Sequence, residues 1–248
     1  METQNSINEL IYLIAFTKLK GISDIDKKKL VIHLGSAQQV FEYCKSKQEL
    51  HHIHWPLEIA KREIDFISKH AIQSISILDK DYPEKLIHID DAPLLLYHKG
   101  KGNIHLPYLI SIVGTRAHTR QSFAIIKDLI EGIKHLPIGI ISGLALGIDT
   151  IAHKTALEYT LPTWAVLGHG LDMIYPTQNR QLAISILEQG GLFTEFTSKT
   201  SPLHFHFPKR NRIVAGLSDA TIVVETDTKG GSMITAGLAF KYNREVFA

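Results

Sequence analysis

The chain has a single cysteine, Cys44, so it can form no disulfide within itself, and the common cysteine-based structural zinc sets are excluded. No apolar run approaches 18 residues, which argues against a membrane-spanning helix. The N-terminus METQNSINEL lacks the basic and apolar regions of an export signal, so the reading is a cytoplasmic chain. Charge of either sign is hardly in excess: 27 basic and 25 acidic side chains leave +2. Any site for a polyanion must therefore come from local arrangement rather than bulk charge. The Walker pattern G-x-x-x-x-G-K-[ST] is missing, which argues against a P-loop NTPase. Gly168-His169-Gly170 starts a dinucleotide fingerprint, but Met173 stands at the third glycine position.

What is present is globular in character, with 44% apolar and 21% charged residues over 248 positions and no low-complexity tract. Histidine is plentiful at fourteen, so the charge can rise below about pH 6.5. Residues 1–70 read as helical. Ile7, Leu10, Ile11, Ile14 and Ala15 follow a 3.6 period, Gly21 breaks the chain, Asp24 and Ser36 suit N-caps, and Pro56 suits a first helical turn. Ile59, Ile64, Phe66 and Ile67 form the expected buried face of the last helix, and Lys27-Lys28-Lys29 read as a solvated face. Two short helices around a Leu-x-Gly-Ile turn resemble a helix-hairpin-helix unit; a small bundle that only packs is the alternative. Residues 71–108 read as a connector with edge structure for the sheet.

From 109 to 248, strand-length apolar runs (LISIV, IGII, TWAVL, GLFTEF, ATIVVE, EVFA) alternate with helical segments near 119–134, 149–158, 178–188, 207–217 and 232–242. The first helix places Phe123, Ile126, Ile130 and Ile133 on one face. Strict alternation predicts an α/β fold: a doubly wound, mainly parallel Rossmann-like sheet, with ligands beyond the strand C-termini. Two glycine-bearing loops fall there. One is Gly114-Thr115-Arg116, and the other runs from Ser142-Gly143 to Gly147. Backbone N–H groups in such loops, and the helices they open, suit phosphate, and a guanidinium adds a paired contact. Lys209, Arg210 and Arg212 lie where a helix begins and oppose its dipole, which an anionic ligand would explain. Tyr175, Phe205 and Phe207 are close by in sequence and suit either base stacking or core.

Other chemistries fit less well. Ser142, Asp149 and His153 are a conceivable hydrolytic set, yet Ser142 is not in a G-x-S-x-G elbow; Asp149 reads better as a cap and His153 as a packed residue. His51, His52, His54, His204 and His206 lack metal-site spacing. No cofactor is expected.

The segments DYPEKLIHIDDAPLLLYHKG, SIVGTRAHTRQSF, IISGLALGIDTIAHKTAL, TWAVLGHGLDMIYPTQN, FPKRNRIVAGLSDATIVVE and GGSMITAGLAFKYNREVFA resemble, in order, the DprA (Smf) family of DNA-processing proteins. The resemblance covers about 81–248. It implies an extended Rossmann-like domain after a small sterile-alpha-motif or helix-hairpin-helix domain. It further implies a non-enzymatic homodimer that binds and protects single-stranded DNA and loads the RecA recombinase in natural transformation. Carried onto this sequence, the DNA contacts would be Gly114, Thr115, Arg116 and Arg120, then Ser142, Gly143 and Gly147, then Lys209, Arg210, Asn211 and Arg212. Members continue past the strand in which this chain ends, so a shortened domain is expected. A phosphoribohydrolase-like nucleotide enzyme is the alternative, on the partial echo Thr228–Ser232 after Glu225.

Overall fold

The computed structural model describes residues 2–50 and 52–248; His51 lies outside the described residues. The chain divides into two units: residues 1–82 with 90–96, and residues 83–89 with 97–248. The expected connector 71–108 is thus shared between them.

The first unit carries α1 (Glu2–Lys18), α2 (Asp24–Leu34), α3 (Ala37–Ser46), α4 (Leu57–Lys69) and β1 (Gln73–Ser76). Its aromatic centre is Trp55, stacked on Phe16 at 5.4 Å and meeting Phe41 edge-on at 5.1 Å. Ser36 caps α3 as expected, accepting from Gln39 N, and the Glu9 carboxylate takes the N–H groups of Ala37 and Gln38 at 2.5 and 3.0 Å. Three local expectations change. Ser23, not Asp24, caps α2. The buried face of α4 is Ala60, Glu63 and Ile67, at i, i+3 and i+7, leaving Ile59 exposed. Lys27 is buried: its Nζ donates to the carbonyls of Thr17 and Leu19 at 3.0 and 2.7 Å, satisfying the end of α1.

The second unit carries α5 (Glu84–Ile87), the later part of β2 (Leu95–Lys99), then β3 (Tyr108–Gly114), α6 (Arg120–Ile133), β4 (Ile138–Ser142), α7 (Ile148–Glu158), β5 (Thr163–Val166), α8 (Arg180–Gln189), β6 (Gly191–Thr194), α9 (His206–Leu217), β7 (Ala220–Val224), α10 (Gly231–Lys241) and β8 (Glu245–Phe247). The strand order within this unit is β2-β6-β5-β4-β3-β7-β8. All pairings from β6 to β8 are parallel, and β2 joins β6 antiparallel with Tyr97 opposite Thr194. This is the expected doubly wound α/β sheet.

Ile126 and Ile130 of α6 pack with Ile148, Ile151 and Ala152 of α7 over Ile112 and Ile140 of the sheet. Each fully buried Ile stabilises by about 1.5–3 kcal/mol. Phe123, though on the same stripe, is exposed in the first turn of α6 and does not join this core. The chain winds outward from β3 to β6, then returns to place β7 on the free side of β3. Neighbouring loops diverge there, which leaves a crevice at the C-terminal ends of β3 and β7.

Candidate functional site

A cleft of about 620 Å³ occupies that crevice. Of the expected site residues, Gly114, Thr115, Arg116, Gly143, Arg210 and Asn211 line it; Arg120, Ser142, Gly147, Lys209 and Arg212 do not. The head of α10 contributes Gly230, Gly231 and Ser232, which the sequence offered only as part of the partial echo behind the nucleotide-enzyme alternative.

The first loop is bound up in the protein's own hydrogen bonds. Thr115 N–H donates to Glu225 O at 2.8 Å, Thr115 O accepts from Ile148 N at 3.1 Å, and Thr115 Oγ1 accepts from Ala117 N at 3.1 Å. The start of α6, expected to face an outside anion, already holds one. The Glu225 carboxylate accepts from Thr119 N at 2.8 Å, from Thr119 Oγ1 at 3.1 Å, and from Ser122 Oγ. The Ser122 hydroxyl and the Thr119 donors hold this carboxyl below its ordinary range. Glu225 sits at φ 49°, a left-handed conformation that costs a non-glycine residue energy and is held by these contacts. Arg116, by contrast, is exposed, and among the described residues it has no ion-pair partner.

The second loop is filled in the same way. Asp149 Oδ2 accepts from Gly143 N at 3.0 Å and Ala145 N at 3.2 Å. Burial pushes the Asp149 carboxyl up, while Arg210 and these donors pull it down. The glycines serve close approach. A Cβ on Gly143 would run into the Arg210 guanidinium, and one on Gly147 (φ 82°) into the backbone of Thr115 and Arg116. Ser142 is buried and donates to Ile112 O at 2.7 Å.

The basic segment explains its own charges. Arg212 is buried and donates to Glu195 Oε2 at 2.6 Å, and Lys209 lies 3.5 Å from the same oxygen. Arg210 is 5% exposed and donates from Nη1 to Val166 O at 2.5 Å; its Nε has no partner among the described residues. Asn211 reaches Gly231 O at 3.4 Å, joining α9 to α10. Glu195, which faces these cations, and Glu225, which holds the start of α6, each stand one residue past a strand end. A strand-then-acid pattern was the available sequence signal. Tyr175, His204 and Phe207 also line the cleft. Tyr175 lies 5.9 Å from Phe207, and Phe205 is exposed with its ring edge-on to His204.

No hydrolytic set assembles. His153 Nδ1 bonds Thr163 Oγ1 at 2.7 Å rather than Asp149, and Thr163 in turn donates to Ile140 O at 3.0 Å. Burial, with Arg210 nearby, pushes His153 down to about 3. His206 Nδ1 is within 3.0 Å of Ser201 O. Among the described residues, no group of three or more His, Cys, Asp or Glu is placed to hold a metal.

The parallel sheet and its winding reversal define a Rossmann-like domain, and Arg116, Arg210, Tyr175 and Phe207 are among the side chains that line the cleft at the reversal. The chain belongs to the family described as DNA recombination-mediator protein A, matched over residues 73–248. It is 42% identical over 175 residues to DNA processing protein DprA of Streptococcus pneumoniae, covering 71% of this chain and 62% of that protein. It is 41% identical over 168 residues to protein Smf of Escherichia coli, covering 67% and 45%. The chain thus spans about half to two thirds of these relatives' length. Among solved structures, DprA from Streptococcus pneumoniae superposes with a TM-score of 0.76 at 33% identity, over 96% of this chain and 86% of that one. DprA from Helicobacter pylori, described for its single-stranded DNA binding mode, gives 0.64 at 32% identity, over 71% and 79%.

Proposed function

We propose that this protein binds single-stranded DNA in the cleft at β3 and β7, as a cytoplasmic, non-enzymatic recombination mediator. We further propose that it protects incoming strands, loads RecA onto them during natural transformation, and works as a homodimer. The observation that carries the reading is Arg116, an exposed cation without an ion pair among the described residues, lining a cleft that Tyr175 and Phe207 also line. Single strands are held by cations along a track together with bases stacked on aromatic faces, and this cleft offers both. Family membership and the DNA-binding description of the Helicobacter pylori relative support the same reading.

The test is fluorescence anisotropy with a labelled oligothymidylate. Affinity falls with salt at a log–log slope of about −0.7 per neutralised phosphate. Arg116→Ala weakens binding about tenfold or more, the scale of one charge-assisted contact, and lowers the slope's magnitude by about 0.7 with folding unchanged. Salt-insensitive or absent binding by folded protein overturns the reading, as does sustained release of free base from nucleoside monophosphates. Light scattering with and without the oligonucleotide tests the homodimer, and co-sedimentation with RecA filaments tests the partner.

A further inference from the structure

Of the helix N-termini at the C-terminal edge of this sheet, those of α6, α7, α9 and α10 are not equally available. The start of α6 holds Glu225, and the loop that opens α7 holds Asp149. The first turn of α9 contains Pro208, which has no N–H. The start of α10 differs: Gly230 provides no side-chain cap, and its first turn carries no acid. Among the described residues, no acceptor receives the N–H of Gly231 or of Ser232, whereas Met233 N already donates to Gly230 O. These free donors line the same cleft as Arg116 and as Arg210, the nine-tenths-buried guanidinium whose Nε has no partner. Asp227 also lines the cleft, but its Oδ1 accepts from Thr228 N and its carbonyl accepts from Gly230 N.

We infer that one backbone phosphodiester of the strand is seated on the Gly231 and Ser232 N–H groups at the head of α10, between Arg116 and Arg210, and not in the two glycine loops after β3 and β4. The inference rests on the single-strand reading and names its principal contact. A helix N-terminus combines free donors with the positive end of the helix dipole. At the winding reversal it follows the strand paired with β3 and lines the same cleft as the loop that presents Arg116.

The backbone allows a test that removes one donor and little else. Gly231 is the first residue of α10, where proline is well tolerated, and Gly230 at φ −67°, ψ 152° already has the extended conformation that a following proline requires. A side chain at 231 meets nothing within 4 Å. With the labelled oligothymidylate, Gly231→Pro loses about tenfold in affinity while Gly231→Ala, which keeps the N–H, stays within about twofold. Both variants keep the wild-type melting temperature. In amide NMR spectra, oligothymidylate shifts the Gly231 and Ser232 resonances and leaves those of Gly143 and Ala145 in place. Equal affinity of the proline and alanine variants overturns the seat, and so do shifts confined to Gly143 and Ala145; both leave the single-strand reading intact. Failure of the wild type to bind any oligonucleotide overturns both together.

Discussion

Two buried histidines set the protein's behaviour in acid. His153 has no exposed surface and bonds Thr163; His98 is 7% exposed and stacks on Phe193 at 4.5 Å. Burial pushes them down to about 3 and about 4 respectively, so both are neutral in the fold at neutral pH. An unfolded histidine titrates near 6.5, so between that value and the folded one the unfolded chain binds more protons. The stabilising effect of these depressed values is full above about pH 6.5 and is lost as pH falls toward 4 and then 3. From pH 6.5 to 5 the loss is about 2 kcal/mol for each histidine. Urea midpoints measured across this range fall accordingly. His153→Asn, which keeps a donor toward Thr163, removes about half of the decline; an unchanged pH profile in that variant would count against the assignment.

At the scale of elements, α9 is fastened to the end of β6 by Arg212 and Glu195, a pair with little solvent access. Removing one member leaves the other charge buried, at a cost of about 3–5 kcal/mol. Arg212→Ala therefore unfolds at markedly lower denaturant, whereas Lys209→Ala, whose side chain is 39% exposed, changes stability by less than about 1 kcal/mol. This contrast marks what could be read in the sequence. The expected helix at 119–134 is α6 at Arg120–Ile133, and the five later strands follow the apolar runs, because alternating period is a local property of the chain. The loops were legible as places but not as contacts. Gly143 is a glycine because the Arg210 guanidinium occupies its Cβ position, and the Gly143 N–H is taken by Asp149. Lys27 shows the same limit: its charge read as solvated, but its partners are carbonyls at the end of another helix. Such pairings depend on elements distant in sequence, and no local pattern encodes them.

For the whole molecule, the chain path matters more than the domain count. Residues 83–89 belong to the second unit although residues on both sides of them belong to the first. Leu86 and Ile89 lie against Gly216 of α9, while Tyr82 Oη donates to Pro93 O at 2.7 Å and Ile77 N to Leu94 O at 2.9 Å. No single cut separates the units cleanly. A fragment 83–248 keeps α5 on α9 but strips residues 90–96 of their partners, so it scatters more light and binds more hydrophobic dye than the full chain; a monodisperse, dye-silent fragment would contradict this. The carboxylates of Asp149 and Glu225 have a wider consequence. Because they are covalently part of the protein, they occupy their donors at an effective concentration that no dissolved metabolite matches. Free phosphate and nucleotides are turned away from two of the anion seats this fold provides. One seat is left open, enough to hold a single phosphate only weakly. On the proposed reading, a strand whose neighbouring bases and phosphates reach the aromatic side chains and Arg116 together gains from every added contact, so the site is expected to respond to polymer rather than to the cell's pool of small anions.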